Sequence, residues 1–247
     1  MGFFDQYHRE ISRYLDLKRS QGKITETFHQ REVCWPSVPG RNLVLNSDTA
    51  VELGNPGDAS SSFLFWVDDP TLLENHRITV IGPDLPDINE GRVSFGKIVL
   101  IGGNDFDSEN SYDRYRELEG LRYAVNLKGY MMRAVSQFQR EWSRVSHEAI
   151  RDGLSFQILG SALIDAYTRL EYVKSVEVIF ITSSRSDVEE VQPVADGVTR
   201  IISAMTDITE EMPLDCDECE YTEVCDDVSE LRSMHKSKRK NEGITND

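Results

Sequence analysis

Apolar side chains recur at helical spacing over residues 3–17, where Phe3, Phe4, Tyr7, Ile11, Tyr14 and Leu15 share one face. Gly22 is placed to end that helix. Residues 25–42 show no period, and Pro36, Pro39 and Gly40 break the chain, so an irregular stretch is expected. Four short runs of β-forming residues follow: Leu43–Leu45, Phe63–Val67, Ile78–Ile81 and Lys97–Ile101. Turn signals such as Gly54-Asn-Pro-Gly57, Gly82-Pro-Asp84 and Gly102-Gly-Asn-Asp105 bound them, which is the pattern of strands. From Tyr112 to Asp152 the pattern turns mainly helical, with Ser111 or Asp113 as cap and Gly129 as a break. A further helix is expected over Phe156–Leu170 and a strand over Val176–Thr182. Ser186 or Asp187 is expected to cap a last helix running towards Ser203.

Strands that alternate with helices imply an α/β fold, a mixed β-sheet with helices packed on it, followed by a short cysteine-containing C-terminal segment. The 247 residues suffice for an adequate hydrophobic core. The organisation expected is an N-terminal helix and irregular lead-in (1–40), an α/β domain (41–204), an acidic cysteine-containing segment (205–230) and a basic tail (231–247). That tail carries Arg232, Lys236, Lys238, Arg239 and Lys240 and is expected to be disordered. No strand leads into a Gly-x-Gly-x-x-Gly or a Walker lysine, so no nucleotide fingerprint is present. No apolar run reaches the length of a membrane span, and the first residues lack the basic and apolar parts of a leader. The expected setting is the cytoplasm, where thiols stay reduced.

Charge narrows the partners. The formal net charge is −16, which opposes binding to nucleic acid and to anionic membranes. Residues 205–230 hold eleven carboxylates and no Lys or Arg. The opposite bias lies in Tyr112–Arg151, where eight basic residues face five carboxylates. Arginine forks suit phosphates, and ordinary i,i+4 pairing on a helix accounts equally for such a run. Trp142, between Arg140 and Arg144, could stack on a base or serve as a core tryptophan.

The strongest chemical signal is a cysteine cluster. Three of the four cysteines, Cys216, Cys219 and Cys225, fall in twelve residues. A Cys-x2-Cys pair with a third cysteine nearby brings three thiolates within reach of one metal or iron–sulfur cluster. A redox dithiol and a cofactor-free coincidence are the other readings. The run follows an acidic, Pro-containing stretch, Glu210–Leu214, where a redox pair would follow a strand. Three thiolates leave one coordination position open. Candidates for it are Cys34, His235, a nearby carboxylate, an exogenous thiol or a partner's side chain. Cys34 is expected to be a buried apolar thiol. With His235 the set would suit zinc.

Several stretches, in order, are similar to the acetyl-CoA synthase family: Leu43-Val-Leu-Asn-Ser-Asp-Thr-Ala-Val-Glu-Leu-Gly-Asn-Pro56, Ile78-Thr-Val-Ile-Gly-Pro-Asp84, Phe95-Gly-Lys-Ile-Val-Leu-Ile-Gly-Gly103, Glu117 to Tyr123, Trp142, Val176–Thr182 and Met205-Thr-Asp207. The family comprises the synthase subunit of bacterial CO dehydrogenase/acetyl-CoA synthase and the beta subunit of the archaeal decarbonylase/synthase complex. The resemblance covers roughly residues 40–230. It implies an acyltransferase-like role in CO, methyl and acetyl-CoA metabolism, and a 4Fe–4S cluster on Cys216, Cys219 and Cys225. It also implies CoA phosphate contacts among Arg114, Arg116, Arg140 and Arg144. The partner it implies is a CO dehydrogenase, a corrinoid protein or a ferredoxin-type protein, presenting a basic surface to the acidic segment. The departures are plain. Family members use four cysteines with a longer gap before the third, and a later Cys-Gly-Cys holds their distal nickel. No Cys-Gly-Cys occurs among these residues, so nickel is not expected from this chain alone. The alternative is a non-catalytic iron–sulfur or zinc-binding accessory or electron-transfer protein on the same scaffold.

Overall fold

The computed structural model describes residues 2–37, 49–104, 106, 110–136, 139–209, 221, 224, 225, 228 and 230–234. Helix α1 (Asp5–Ser20) buries Ile11, Tyr14 and Leu15, and Gly22 follows it at a φ of 67°. The helix therefore ends where a left-handed residue stops it. The chain then enters a five-stranded sheet through β1 (Ile24–His29), in a stretch that sequence periodicity left irregular. Its side chains are half-buried or exposed, so no clean alternation marks it. As an edge strand it is held by backbone pairing with β4 (Arg77–Ile81).

The large sheet runs in the order β1-β4-β9-β6-β3, with β3 at Ser60–Val67, β6 at Phe95–Gly103 and β9 at Val173–Ile181. β4 and β9 are parallel, β3 and β6 are parallel, and β6 and β9 are antiparallel. The sheet is mixed, as expected. β3 and β6 are buried along their whole length, which explains their continuous apolar runs. Register assigns the faces. Ile78, Val178 and Phe180 share one face, and α4 (Phe156–Tyr167) packs there, with Phe156 stacked on Phe180 at 4.5 Å. Gly160 permits the approach, since a Cβ there would sit 2.9 Å from Ile78. On the other face Phe4, just ahead of α1, meets Phe65 at 5.8 Å. The helix α6 (Gln192–Thr209) packs against β3 and α1.

A second, four-stranded sheet runs β5-β2-β8-β7, from β2 (Ala50–Leu53), β5 (Arg92–Val93), β7 (Tyr130–Ser136) and β8 (Arg140–Ser146). Here the structure corrects the sequence reading. Tyr112–Asp152 is helical only in α2 (Ser111–Leu121) and the short α3 (His147–Arg151), and a hairpin of β7 and β8 lies between them. The charged run Arg-Glu-Trp-Ser-Arg of β8 disguised its period of two. Glu141 and Ser143 point inward into a polar core, 1% and 0% exposed.

That polar core joins the two sheets. Lys97 of β6 and Glu141 of β8 form an enclosed ion pair. Ser62, Tyr130 and Ser143 also donate to the Glu141 carboxylate, at 2.9, 3.1 and 2.9 Å. Arg122, the residue that caps the end of α2, donates to the Ser62 carbonyl at 2.9 Å and to Glu119 at 2.6 Å. Burial alone would raise the Glu141 carboxyl, but Lys97 and Arg122 hold it down at about 2. Each buried charge thus has an opposite partner, the condition for tolerating it.

The last expected helix is divided. Ser184, not Ser186 or Asp187, caps the short α5 (Arg185–Glu189), and α6 follows after a break. Among the described residues no helix is long and apolar enough to cross a membrane.

Candidate functional site

Of the three cysteines of the C-terminal run, Cys216 and Cys219 lie outside the described residues, as does His235. Cys225 is partly buried and packs against the core. Its neighbours explain that seat: Val224, Leu231 and Met234 are 8%, 0% and 7% exposed, so this short piece docks its apolar side chains. Glu230 lies near enough to Asp68, just past the end of β3, for its charge to act on that carboxyl. Burial first, then Asp5 and Glu230, raise the Asp68 carboxyl. The piece holding Cys225 is therefore set beside the start of α1 and the end of β3. Among the described residues no three His, Cys, Asp or Glu side chains gather as a metal-holding set. The donor chemistry of the cysteine run, three thiolates, fits iron or zinc.

Cys34 is exposed, contrary to the expectation of a buried thiol. Its neighbours carry the anchoring here. Trp35 Nε1 donates to the Lys128 carbonyl at 3.0 Å, and Lys128 N–H donates to the Pro36 carbonyl at 2.8 Å. The backbone is pinned on one side of Cys34 and its thiol faces solvent.

The four arginines proposed from sequence occupy two elements. α2 carries Arg114 and Arg116, and β8 carries Arg140 and Arg144. Arg116 is exposed. Arg114 lies over the Tyr172 ring at 4.1 Å and 3.8 Å from Glu117. Arg144 is nearly buried and donates to Glu52 at 2.7 Å. Arg140 is exposed and donates to the Asp58 carbonyl at 2.9 Å. Trp142 is half-buried between these positions, with Arg133 over its ring at 4.6 Å and Arg144 at 5.5 Å. It is neither a core tryptophan nor an open stacking platform.

A cleft of about 660 Å³ opens where the C-terminal ends of β4 and β9 meet the start of β1. Such crevices beyond parallel strand ends are common ligand sites. Gly82 shapes the floor at a φ of 102°, with the backbone nitrogen of Ser183 2.3 Å from where a Cβ would stand. Asp187 anchors one wall. Its carboxylate accepts from Lys18 at 2.7 Å, Lys23 at 2.7 Å, Ser183 at 2.6 Å and Ser184 at 2.7 Å. Burial disfavours this carboxylate, yet the two lysines and two hydroxyls hold it well below the usual range. Asp84 forms another wall and accepts from Leu85 N–H and Phe156 N–H at 2.6 and 2.7 Å. Burial raises its carboxyl against those bonds. Glu26 and Asp87 add two more carboxylates to the lining. The one lysine at the cleft is neutralised by Asp187, so the remaining carboxylates disfavour an anionic ligand. Among the described residues Lys23, Ser183 and Ser184 all donate to Asp187.

Sequence reading missed Asp187 as a hub and Lys97 as a buried cation. Signals existed for both. Ser184-x-x-Asp187 has capping-box spacing, and Lys97 interrupts an otherwise apolar strand.

Comparison with known proteins places these elements. Residues 39–188 match the model of a family described as the CO dehydrogenase/acetyl-CoA synthase complex beta subunit. That stretch runs from before β2 into α5 and stops short of the cysteines. The acetyl-CoA decarbonylase/synthase complex subunit beta of Methanopyrus kandleri is 28% identical over 161 residues, 64% of this chain and 32% of that protein. Subunit beta 1 of Methanosarcina thermophila is 29% identical over 160 residues, 63% of this chain and 32% of that protein. The subunit of Archaeoglobus fulgidus is 25% identical over 176 residues, 70% and 32% respectively. The chain spans about a third of the length of the curated relatives it matches. With well over half its residues, and every strand of the two sheets but β1, inside the family match, the chain belongs to the CO dehydrogenase/acetyl-CoA synthase complex beta subunit family.

Proposed function

We propose that this chain serves one-carbon metabolism, at the level of CO, methyl and acetyl-CoA chemistry, as a scaffold carrying an iron–sulfur site. Family membership supports the metabolic assignment, since the named relatives are beta subunits of acetyl-CoA decarbonylase/synthase complexes. The observation that carries the site is the seating of Cys225. The third cysteine of the run is held against the core beside buried Val224 and Leu231, a seat that would fix one ligand, and two more cysteines precede it closely in sequence. Cys216, Cys219 and Cys225 would hold the cluster, and the protein's part is to keep three thiolates ionised and oriented. A bound cubane would supply electron transfer or a coordination point at its one iron lacking a protein thiolate. The eleven carboxylates of residues 205–230 favour a partner with a basic surface. A CO dehydrogenase, a corrinoid protein or a ferredoxin-type protein fits that role, in a cytoplasmic setting.

The test is iron, sulfide, nickel and zinc analysis of anaerobically purified protein, with its visible spectrum. Iron and acid-labile sulfide are expected. Cys216→Ser, Cys219→Ser and Cys225→Ser should each lose the chromophore, and Cys34→Ser should keep it. One zinc per chain without sulfide would transfer the assignment to a zinc-binding accessory protein. Colourless, metal-free protein under reducing conditions would remove both.

A further inference from the structure

We infer that the outward face of the small sheet is a docking surface for an acidic protein segment, separate from the cysteine run. Alternation along β8 sets the face. Glu141, Ser143 and Val145 point inward and are 1% exposed or less, so Arg140, Trp142 and Arg144 share the opposite face, where Arg140 is exposed, Trp142 half-buried and Arg144 nearly buried against Glu52. Cross-strand pairing adds Met131 opposite Arg144 on one side, and Glu52 then Arg92 on the other. The side chain of Arg92 is 66% exposed, and Arg133 and Arg140 are also exposed. Exposed guanidinium groups thus cluster on one sheet face of a chain whose net charge is −16.

The contacts say what the face accepts. Asp58 sits between two of the arginines, its carbonyl 2.9 Å from Arg140 and its carboxylate 3.7 Å from Arg92. Glu52 meets Arg144. Arg133 differs: its guanidinium rests on the Trp142 ring, and among the described residues no carboxylate lies within ion-pair reach of it. Arginine, tryptophan and methionine together, without lysine, are the composition of protein interfaces. Side chains two residues apart on a strand are about 7 Å apart, and an extended partner segment presents alternate carboxylates at the same repeat. Nucleic acid fits less well, because its long polyanion would meet the repulsion of the rest of the chain. A small nucleotide-like ligand fits less well too, because Arg133 already covers the indole that a base would need.

The probe is a short labelled peptide of alternating glutamate and threonine, followed by fluorescence anisotropy. Wild-type protein should bind it, with affinity falling as salt rises. The R133E/R140E double variant should bind at least about 10-fold more weakly, with its circular dichroism and Tm unchanged. R133Q/R140Q should fall between the two, and R9E/R13E on α1, a charge change elsewhere, should bind like wild type. No binding by wild type, equal binding by R133E/R140E, or equal loss in R9E/R13E would overturn the inference. Tighter binding of CoA, tripolyphosphate or a single-stranded oligonucleotide than of the peptide at this face would also overturn it. These readouts do not depend on whether the cysteines hold a metal, so the inference and the proposed function fail separately.

Discussion

Lys97 and Glu141 meet as an ion pair with both side chains enclosed, one from each sheet, 1% and 0% exposed. Removing one partner leaves an uncompensated charge in the interior, a defect that costs about 3–5 kcal/mol. Glu141→Gln is expected to be worse than Lys97→Met. Glu141 faces Lys97 and Arg122 together, while Lys97→Met still leaves Arg122 beside the carboxylate. Urea denaturation of both variants and of the double variant checks this, and the double should recover part of the loss.

The same carboxylate predicts an acid-sensitive fold. Its folded value, about 2, lies below the roughly 4.3 of an unfolded glutamate. A depressed carboxyl contributes stability that is complete above the unfolded value and is lost as pH falls through it towards the folded one. Tm should therefore drop from about pH 4.3 downward. Asp187, also held low by Lys18 and Lys23, adds to the drop. Asp187→Asn should flatten the slope of Tm against pH in this range; an unaltered slope would show that its carboxylate is not coupled to folding.

Two glycines should respond oppositely to alanine. Gly82→Ala places a Cβ against the Ser183 backbone at a φ of 102°, and destabilisation of about 1–3 kcal/mol is expected. Gly120 lies in α2 with nothing within 4 Å of a new Cβ, so Gly120→Ala should stabilise by about 0.5–1 kcal/mol. Thermal denaturation of the pair separates strain from helix propensity.

A polypeptide of these 247 residues contains no Cys-Gly-Cys to hold a distal nickel. It is expected to form no acetyl-CoA from CO, a methyl donor and CoA after nickel reconstitution. Product analysis checks this, and turnover in the absence of any other protein would be the contrary result.

Much of the large sheet was legible because its strands bury both faces and so read as apolar runs: Phe63–Val67, Ile78–Ile81, Lys97–Ile101 and Val176–Thr182 all fall within or overlap observed strands. The hairpin of β7 and β8 was not. Its inward positions are Glu141 and Ser143, polar residues whose burial depends on Lys97 and Arg122 arriving from elsewhere in the chain. Local pattern cannot see such a partner. Cys34 was misread for a related reason, because Trp35 and Pro36 beside it are what the fold holds. Leu43–Leu45, Cys216 and Cys219 lie outside the described residues.

The centre of the large sheet is its last strand in chain order. β9 lies between β4 and β6, and it is the element that bonds to both. During synthesis the strands of the pairs β1–β4 and β3–β6 emerge before β9, so either pair, if formed, keeps one apolar strand edge open until residues beyond Val173 arrive. The sheet can close only once Ile181 has emerged, so folding is governed by contacts far apart in sequence and is correspondingly slow. Until then the β4 and β6 edges that β9 covers have no partner strand, and such open apolar edges are where a chain most needs protection from other chains.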